Sequence, residues 1–250
     1  MLGTAVGVRS GGAALRHLFV RARRRLEYQA RIRRGAREVR ARSPRLLDAA
    51  LDYAYAARPG SLRIAPNQVR SELRDFLVLV QQLKPRAVLE IGTGRGGTLF
   101  LCTRVAAPDA ILVSVDLSSA EDRRFAGGDV KQRRPLFEAF ALDRQRVHFL
   151  VGDSHAADTR ARVERKLRGR EVDLLFIDGD HTEEGVRNDF ELYHGLVRRG
   201  GVIAFHDIVD GTPEFVGGVP DFWRSIRTAD AQEFVEDRAQ GGFGIGVLRR

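Results

Sequence analysis

The sequence predicts an α/β fold: a Rossmann-like, doubly wound, seven-stranded and mainly parallel sheet with an antiparallel C-terminal hairpin and an N-terminal helical extension. Three observations predict it. After Pro85, short apolar runs alternate with helical patterns, and such βα units require a parallel sheet covered on both faces. Residues 88–97, VLEIGTGRGG, pass from an apolar run through a carboxylate into four glycines, the signature of a strand turning tightly into a helix beside a ligand. Near the end, EFVED (233–237) and FGIGVLRR (243–250) read as two strands joined by five residues. That is too few for a parallel crossover, so the last pair is an antiparallel hairpin.

Charge divides the chain before any element does. Residues 1–45 hold thirteen arginines against Glu27 and Glu38, a local charge of +11, while the rest of the 250 residues sum to −2. Leu15, Leu18, Phe19, Ala22, Leu26, Ile32 and Val39 recur unevenly between these arginines. Three readings stand for this stretch: a basic amphipathic helix on an anionic membrane, a helix docked on a partner such as nucleic acid, or a solvated extension. Ser43-Pro44 resets the chain, 45–57 reads as a short helix ending before Pro59-Gly60, and 66–83 reads as a longer one with Val69, Leu73, Phe76, Leu77 and Val80 on one face. The expected division is a basic extension over 1–45, a helical cap over 46–84 that could also form a homo-oligomer surface, and a catalytic domain over 85–250.

Within that domain the expected strands are 86–91, 110–115, 146–151, 172–177 and 201–206, with helices at 97–107, 128–141, 156–168 and 182–198. A further helix covers 222–228, ahead of the hairpin. The one cysteine, Cys102, sits at helical spacing among Leu99, Leu101 and Val105 and reads as a core residue, which excludes an intrachain disulfide. No stretch approaches the ~18 apolar residues of a membrane span, and Arg9, Arg16 and His17 interrupt any secretory leader. Cytoplasmic residence is the default expectation.

The glycines alone leave the cofactor open. Gly92, Gly94 and Gly97 fit GxGxxG, which serves nicotinamide dinucleotides as well as other adenosine-containing ligands. Asp116, followed by Leu117, ends the second strand 19 residues after Gly97, where a carboxylate accepts ribose hydroxyls in either case. Glu90 stands just before the glycines, placed to orient the turn, including Thr93, or the amino group of a ligand; a solvated charge at a strand end is the plainer alternative. Asp178 closes one strand, and His206 with Asp207 closes the next, at the sheet edge where open α/β folds bind ligands. Two carboxylates and an imidazole suit a divalent cation such as magnesium or manganese; direct polarisation of a substrate by Asp178 is the competing role.

Five parallel strands followed by a hairpin resemble the class I S-adenosylmethionine-dependent methyltransferases. The segments ILVSVDLS (111–118), VHFLVGDS (147–154), VDLLFIDGDHTEEGVRNDFELYHGLVRRGGVIAFHDIV (172–209) and GTPEFVGGVPDFW (211–223) extend the likeness to a small-molecule O-methyltransferase group. That group is similar to the cephalosporin-hydroxylase-like and macrolide-sugar methyltransferases, and more distantly to catechol O-methyltransferase. The resemblance implies S-adenosylmethionine as cofactor, a hydroxyl of a sugar or natural product as acceptor, adenine near Asp153 and Ser154, a metal held by Asp178, His206 and Asp207, and His181 as general base. His206 departs from the oxygen ligand of the family pattern. For Asp153 and Ser154 a helix cap remains the alternative role, as do loop hydrogen bonds for His206 and Asp207.

Other chemistries fare worse. A nicotinamide oxidoreductase is the first alternative, but no tyrosine stands four residues before Lys84, Lys131 or Lys166, the only lysines. Iron-dependent hydroxylation lacks an HxD motif with a distant histidine. Residues 211–223, rich in glycine and with Phe215, Phe222 and Trp223, form an acceptor wall or lid, or pack their two C-terminal aromatics beneath a helix.

Overall fold

A computed structural model describes residues 10–117 and 130–250, with side chains from residue 19 onward. The first nine residues of the basic extension and the start of the expected 128–141 helix lie outside the described residues.

Seven strands form one sheet in the order β3-β2-β1-β4-β5-β7-β6. These are β1 (Ala87–Ile91), β2 (Ile111–Asp116), β3 (Arg146–Val151), β4 (Val172–Ile177), β5 (Val197–His206), β6 (Gln232–Phe234) and β7 (Ile245–Arg249). The pairs from β3 across to β5 are parallel. β7 runs antiparallel to both β5 and β6, the expected hairpin. Its connection, 235–244, is ten residues rather than five, because both strands are shorter than their apolar runs suggest. The strand order reverses between β1 and β4, and that switch point is where a crevice opens at the carboxyl edge.

Helices cover the sheet: α1 (Ser10–Arg42), α2 (Leu47–Ala56), α3 (Arg70–Leu83), α4 (Gly97–Val105), α5 (Arg134–Glu138), α6 (Ala157–Leu167), α7 (Glu183–Tyr193), α8 (Pro213–Val216) and α9 (Val219–Ile226). The expected helix over 128–141 is a 3-10 turn at 130–133 followed by the single turn of α5. The one expected over 182–198 stops at Tyr193, since a 3-10 turn leads straight into β5, which begins at Val197.

Strand periodicity sorts the core into two layers. Val88, Leu112, Leu174 and Val202 face the side covered by α1 to α5, and Leu89, Val113, Leu175 and Ile203 face α6, α7 and α9. α4 is buried along its whole length, Cys102 included. Phe222 and Trp223 are buried beneath α9, so of the proposed lid aromatics only Phe215 reaches the crevice. The C-terminal part of α1 joins the first layer through Ile32, Ala36 and Val39, whereas residues 19–27 are all exposed. Among the described residues no helix is long and apolar enough to cross a membrane.

Candidate functional site

At the carboxyl edge of β1, β2, β3 and β4 lies a cavity of ≈ 660 Å³, within the ~300–1,000 Å³ range of small-molecule sites. Its floor is the β1–α4 turn. Gly92 has φ 91°, and a Cβ there would lie 1.9 Å from the carbonyl oxygen of Asp178. The missing side chain admits the β4 loop, and Asp178 N donates to Ile91 O at 2.8 Å to lock the two strand ends together.

Asp116 braces the same turn. Its Oδ2 accepts from Thr93 N at 2.8 Å and Gly94 N at 2.7 Å, which commits one oxygen to the loop while the residue still lines the cavity. Glu90 is buried at 1% exposure and is not a cavity residue. The period of two turns it toward α4, opposite Ser114, whose hydroxyl donates to it and is also bonded to Thr93 Oγ1. Burial first of all, with the Asp178 and Asp116 charges adding to it, pushes Glu90 well above the usual carboxylate range. Through Ser114 it is linked to Thr93 of the turn.

Leu117, Asp153 and Ser154 line the far wall. Leu117 is half exposed, Asp153 Oδ1 accepts from His155 N at 2.9 Å, and Ser154 O accepts from Tyr193 Oη at 2.7 Å. Behind this wall sits Asp189 of α7, fully buried, with neither carboxylate oxygen hydrogen-bonded. His155 Nε2 lies 3.4 Å from Asp189 Oδ1 and 3.1 Å from Gly185 O. Burial raises the Asp189 pKa to about 6.

The near wall holds the titratable cluster. Gln68 Nε2 donates to Asp178 Oδ2 at 2.7 Å, and the amide is oriented by Thr98 Oγ1, which donates to Gln68 Oε1 at 2.9 Å. His206 Nδ1 donates to Asp178 Oδ1 at 3.0 Å and lies 3.2 Å from Asp207 Oδ2. His181 Nδ1 lies 2.8 Å from Phe215 O. A carbonyl only accepts, so Nδ1 carries the proton and Nε2 faces Asp178 Oδ1 at 3.7 Å and Asp207 Oδ2 at 3.6 Å. Gly217 enables that placement: with φ 55°, a Cβ there would lie 1.9 Å from His181 O.

Charge balance follows from this packing. Burial opposes ionisation of Asp178, but the His206 charge and hydrogen bonds from both imidazoles outweigh it and hold the carboxyl well below its usual range. Asp178 in turn lifts His181, against burial, to about 9. Burial lowers His206, yet Asp178 and Asp207 together lift it to about 10.

The candidate metal set changes accordingly. Asp178, His181 and Asp207 each offer a ligand atom, all within 4.8 Å of one another. His206 is not among them; its Nδ1 is hydrogen-bonded to Asp178 Oδ1 and lies 3.2 Å from Asp207 Oδ2. Two carboxylates and an imidazole fit a divalent cation, manganese, iron or zinc better than magnesium, and Asp207 Oδ2 is buried without a hydrogen bond. Sequence reasoning missed Gln68, His155 and Asp189. His155 directly follows GDS, a signal that could have been used; Gln68 lies 110 residues from its partner and has none.

Comparison with known proteins agrees with the architecture. Residues 89–208 match a family model described as a methyltransferase domain. A putative O-methyltransferase of Mycobacterium sp. (strain JLS) is 28% identical over 158 residues, which are 60% of this chain and 62% of that protein. The chain spans less than two thirds of the length of the curated relatives it matches. Among solved structures, the O-methyltransferase from Bacillus cereus in complex with SAH has 21% identity and a TM-score of 0.51, covering 82% of this chain and 90% of that one. The O-methyltransferase TomG from Streptomyces achromogenes, in complex with SAM, has 21% identity and a TM-score of 0.54, covering 80% and 87%. The likeness to these solved O-methyltransferases is one of fold.

Proposed function

We propose, on the premise that residues 89–208 are a methyltransferase domain, that the chain is an S-adenosylmethionine-dependent O-methyltransferase acting on a hydroxyl of a small molecule. One observation carries the proposal: a single cavity joins the Gly92–Gly97 turn, Asp116 and Ser154 to Asp178 and His181. The first three stations suit the methionine, ribose and adenine parts of the cofactor. The last two suit a hydroxyl that must lose its proton.

The reaction is an in-line displacement in which the acceptor oxygen forms a bond to the methyl carbon as the carbon–sulfur bond breaks. The chain has to align the two reactants and take up a proton. His181 Nε2 takes it, with the tautomer set by Phe215 O and the resulting imidazolium steadied by Asp178 and Asp207. Gln68 and His206 hold Asp178 in place from either side. No covalent nucleophile is required.

Asp178, His181 and Asp207 would hold a divalent cation, which when bound lowers the pKa of an acceptor hydroxyl. His181 cannot be ligand and base at once, so sensitivity to chelation separates the two routes. Calorimetric titration with S-adenosylmethionine and with NAD(H) tests the assignment. Micromolar or tighter binding of the methyl donor is expected; tight binding of the nicotinamide alone would sink it. Release of S-adenosylhomocysteine over a panel of sugar and phenolic hydroxyl acceptors then identifies the substrate class.

A further inference from the structure

We infer that the projecting N-terminal half of α1 is a docking element for an anionic lipid surface. Five large hydrophobic residues are exposed among the described residues, and three of them, Phe19, Val20 and Leu26, fall within eight consecutive positions of α1. Phe19 and Leu26 are seven residues apart, so they share one helix face within about 20°. Around them stand Arg21, Arg23, Arg24 and Arg25 against the single carboxylate of Glu27, which Arg23 engages at 2.7 Å.

This stretch makes no contribution to the core. Docking of α1 begins only at Tyr28, which accepts from Arg133 Nε at 3.0 Å, and continues through Ile32, Ala36 and Val39. A helix needs no phenylalanine or leucine in water to remain solvated, and the aliphatic and aromatic side chains here gain nothing from the fold. Arg21, Arg24 and Arg25 point away from the Phe19–Leu26 ridge and Arg23 borders it, a pattern that matches the interfacial helix, whose apolar side chains enter the acyl boundary while its cations meet lipid phosphates.

Two other occupants fit less well. A second copy of α1 would set its own four arginines against these, with one glutamate each to offset them. Nucleic acid would satisfy the arginines through phosphates and leave Phe19 and Leu26 without a role.

The test is flotation of the full chain with vesicles of phosphatidylglycerol and phosphatidylcholine, beside vesicles of phosphatidylcholine alone. Wild type floats with the anionic vesicles, is released by salt, and stays in solution with the neutral ones. Replacing Arg21, Arg23, Arg24 and Arg25 by Gln weakens binding more than about 100-fold, and the pair Phe19→Glu and Leu26→Glu abolishes it. Both variants keep the wild-type melting curve and methyl-donor affinity, which separates lost docking from lost folding. Equal binding to neutral vesicles, binding to neither, or undiminished binding by the Phe19→Glu/Leu26→Glu variant overturns the inference. So does tighter binding to RNA or duplex DNA that survives that double substitution, or a dimer in sedimentation equilibrium that it dissociates without any vesicle binding.

Discussion

Replacing Asp189 by Asn should stabilise the protein, and more so the higher the pH. Asp189 is fully buried behind the cavity wall, neither of its oxygens is hydrogen-bonded, and burial raises its pKa from 3.8 to about 6. A carboxyl whose folded pKa exceeds its unfolded one contributes its full stability below the unfolded value and loses it as pH rises through the folded value. The window is therefore about pH 4 to 6. A displacement of about two pH units at 1.36 kcal/mol each sets an upper limit of ~3 kcal/mol on what ionisation costs the folded state at neutral pH; Ser154 and His155 beside it offset part of the cost of ionisation already. Urea denaturation of wild type and Asp189→Asn, run at about pH 4 and again near neutrality, reads the difference directly. Near pH 4 the two should differ little, and near neutrality the variant should be the more stable by about 1–3 kcal/mol. A gap that stays constant with pH, or that favours wild type increasingly as pH rises, refutes the reasoning.

Gln68→Leu strands Asp178 Oδ2 and Thr98 Oγ1, so a loss of about 1–3 kcal/mol in stability is expected by denaturation together with at least a tenfold loss of turnover; unchanged turnover refutes the clamp. Asp178→Ala should abolish S-adenosylhomocysteine release while calorimetry shows methyl-donor affinity nearly intact. His181 is lifted to about 9 and must be neutral to accept a proton, so turnover should climb with pH toward that value, and His181→Gln should flatten the profile; a wild-type rate already level at neutral pH, or lost on chelation, assigns His181 elsewhere. Gly217→Ala forces a Cβ to within 1.9 Å of His181 O, and a melting curve should show it destabilised by about 1–3 kcal/mol.

The strands of this fold were legible because parallel β-structure buried on both faces writes continuous apolar runs, as at 172–177, and the glycine turn announces itself by composition. Short helices were not. At 128–141 the apolar spacing of Leu136, Phe137 and Phe140 satisfies a helical period, but those rings pack on one another and on Phe149 after a single turn. The same divide runs through the site. Asp178, His181 and Asp207 end or follow strands whose order the sequence implies, so their meeting could be anticipated. Gln68 reaches the site from the bend before α3 and Asp189 from α7, and nothing in their neighbours encodes the approach. The sequence leaves open which face of the sheet Glu90 takes, and only the register opposite Ser114 shows it.

His206 explains how a buried cluster of this composition remains stable. Asp178 and Asp207 would repel each other at the end of adjacent strands, and a buried carboxylate pair without a counter-charge loses a proton only at a cost of several kcal/mol. With Nδ1 3.0 Å from one and 3.2 Å from the other, a protonated His206 supplies that counter-charge from the core side. His181 approaches the same two oxygens from the cavity side at 3.7 and 3.6 Å. Two carboxylates thus balance two imidazolium groups. A divalent cation entering this cluster must displace protons before it gains its ligands, and its affinity consequently rises with pH. The same balance permits proton transfer without a metal, because whatever proton His181 accepts is already matched by a carboxylate whose second partner, His206, does not leave.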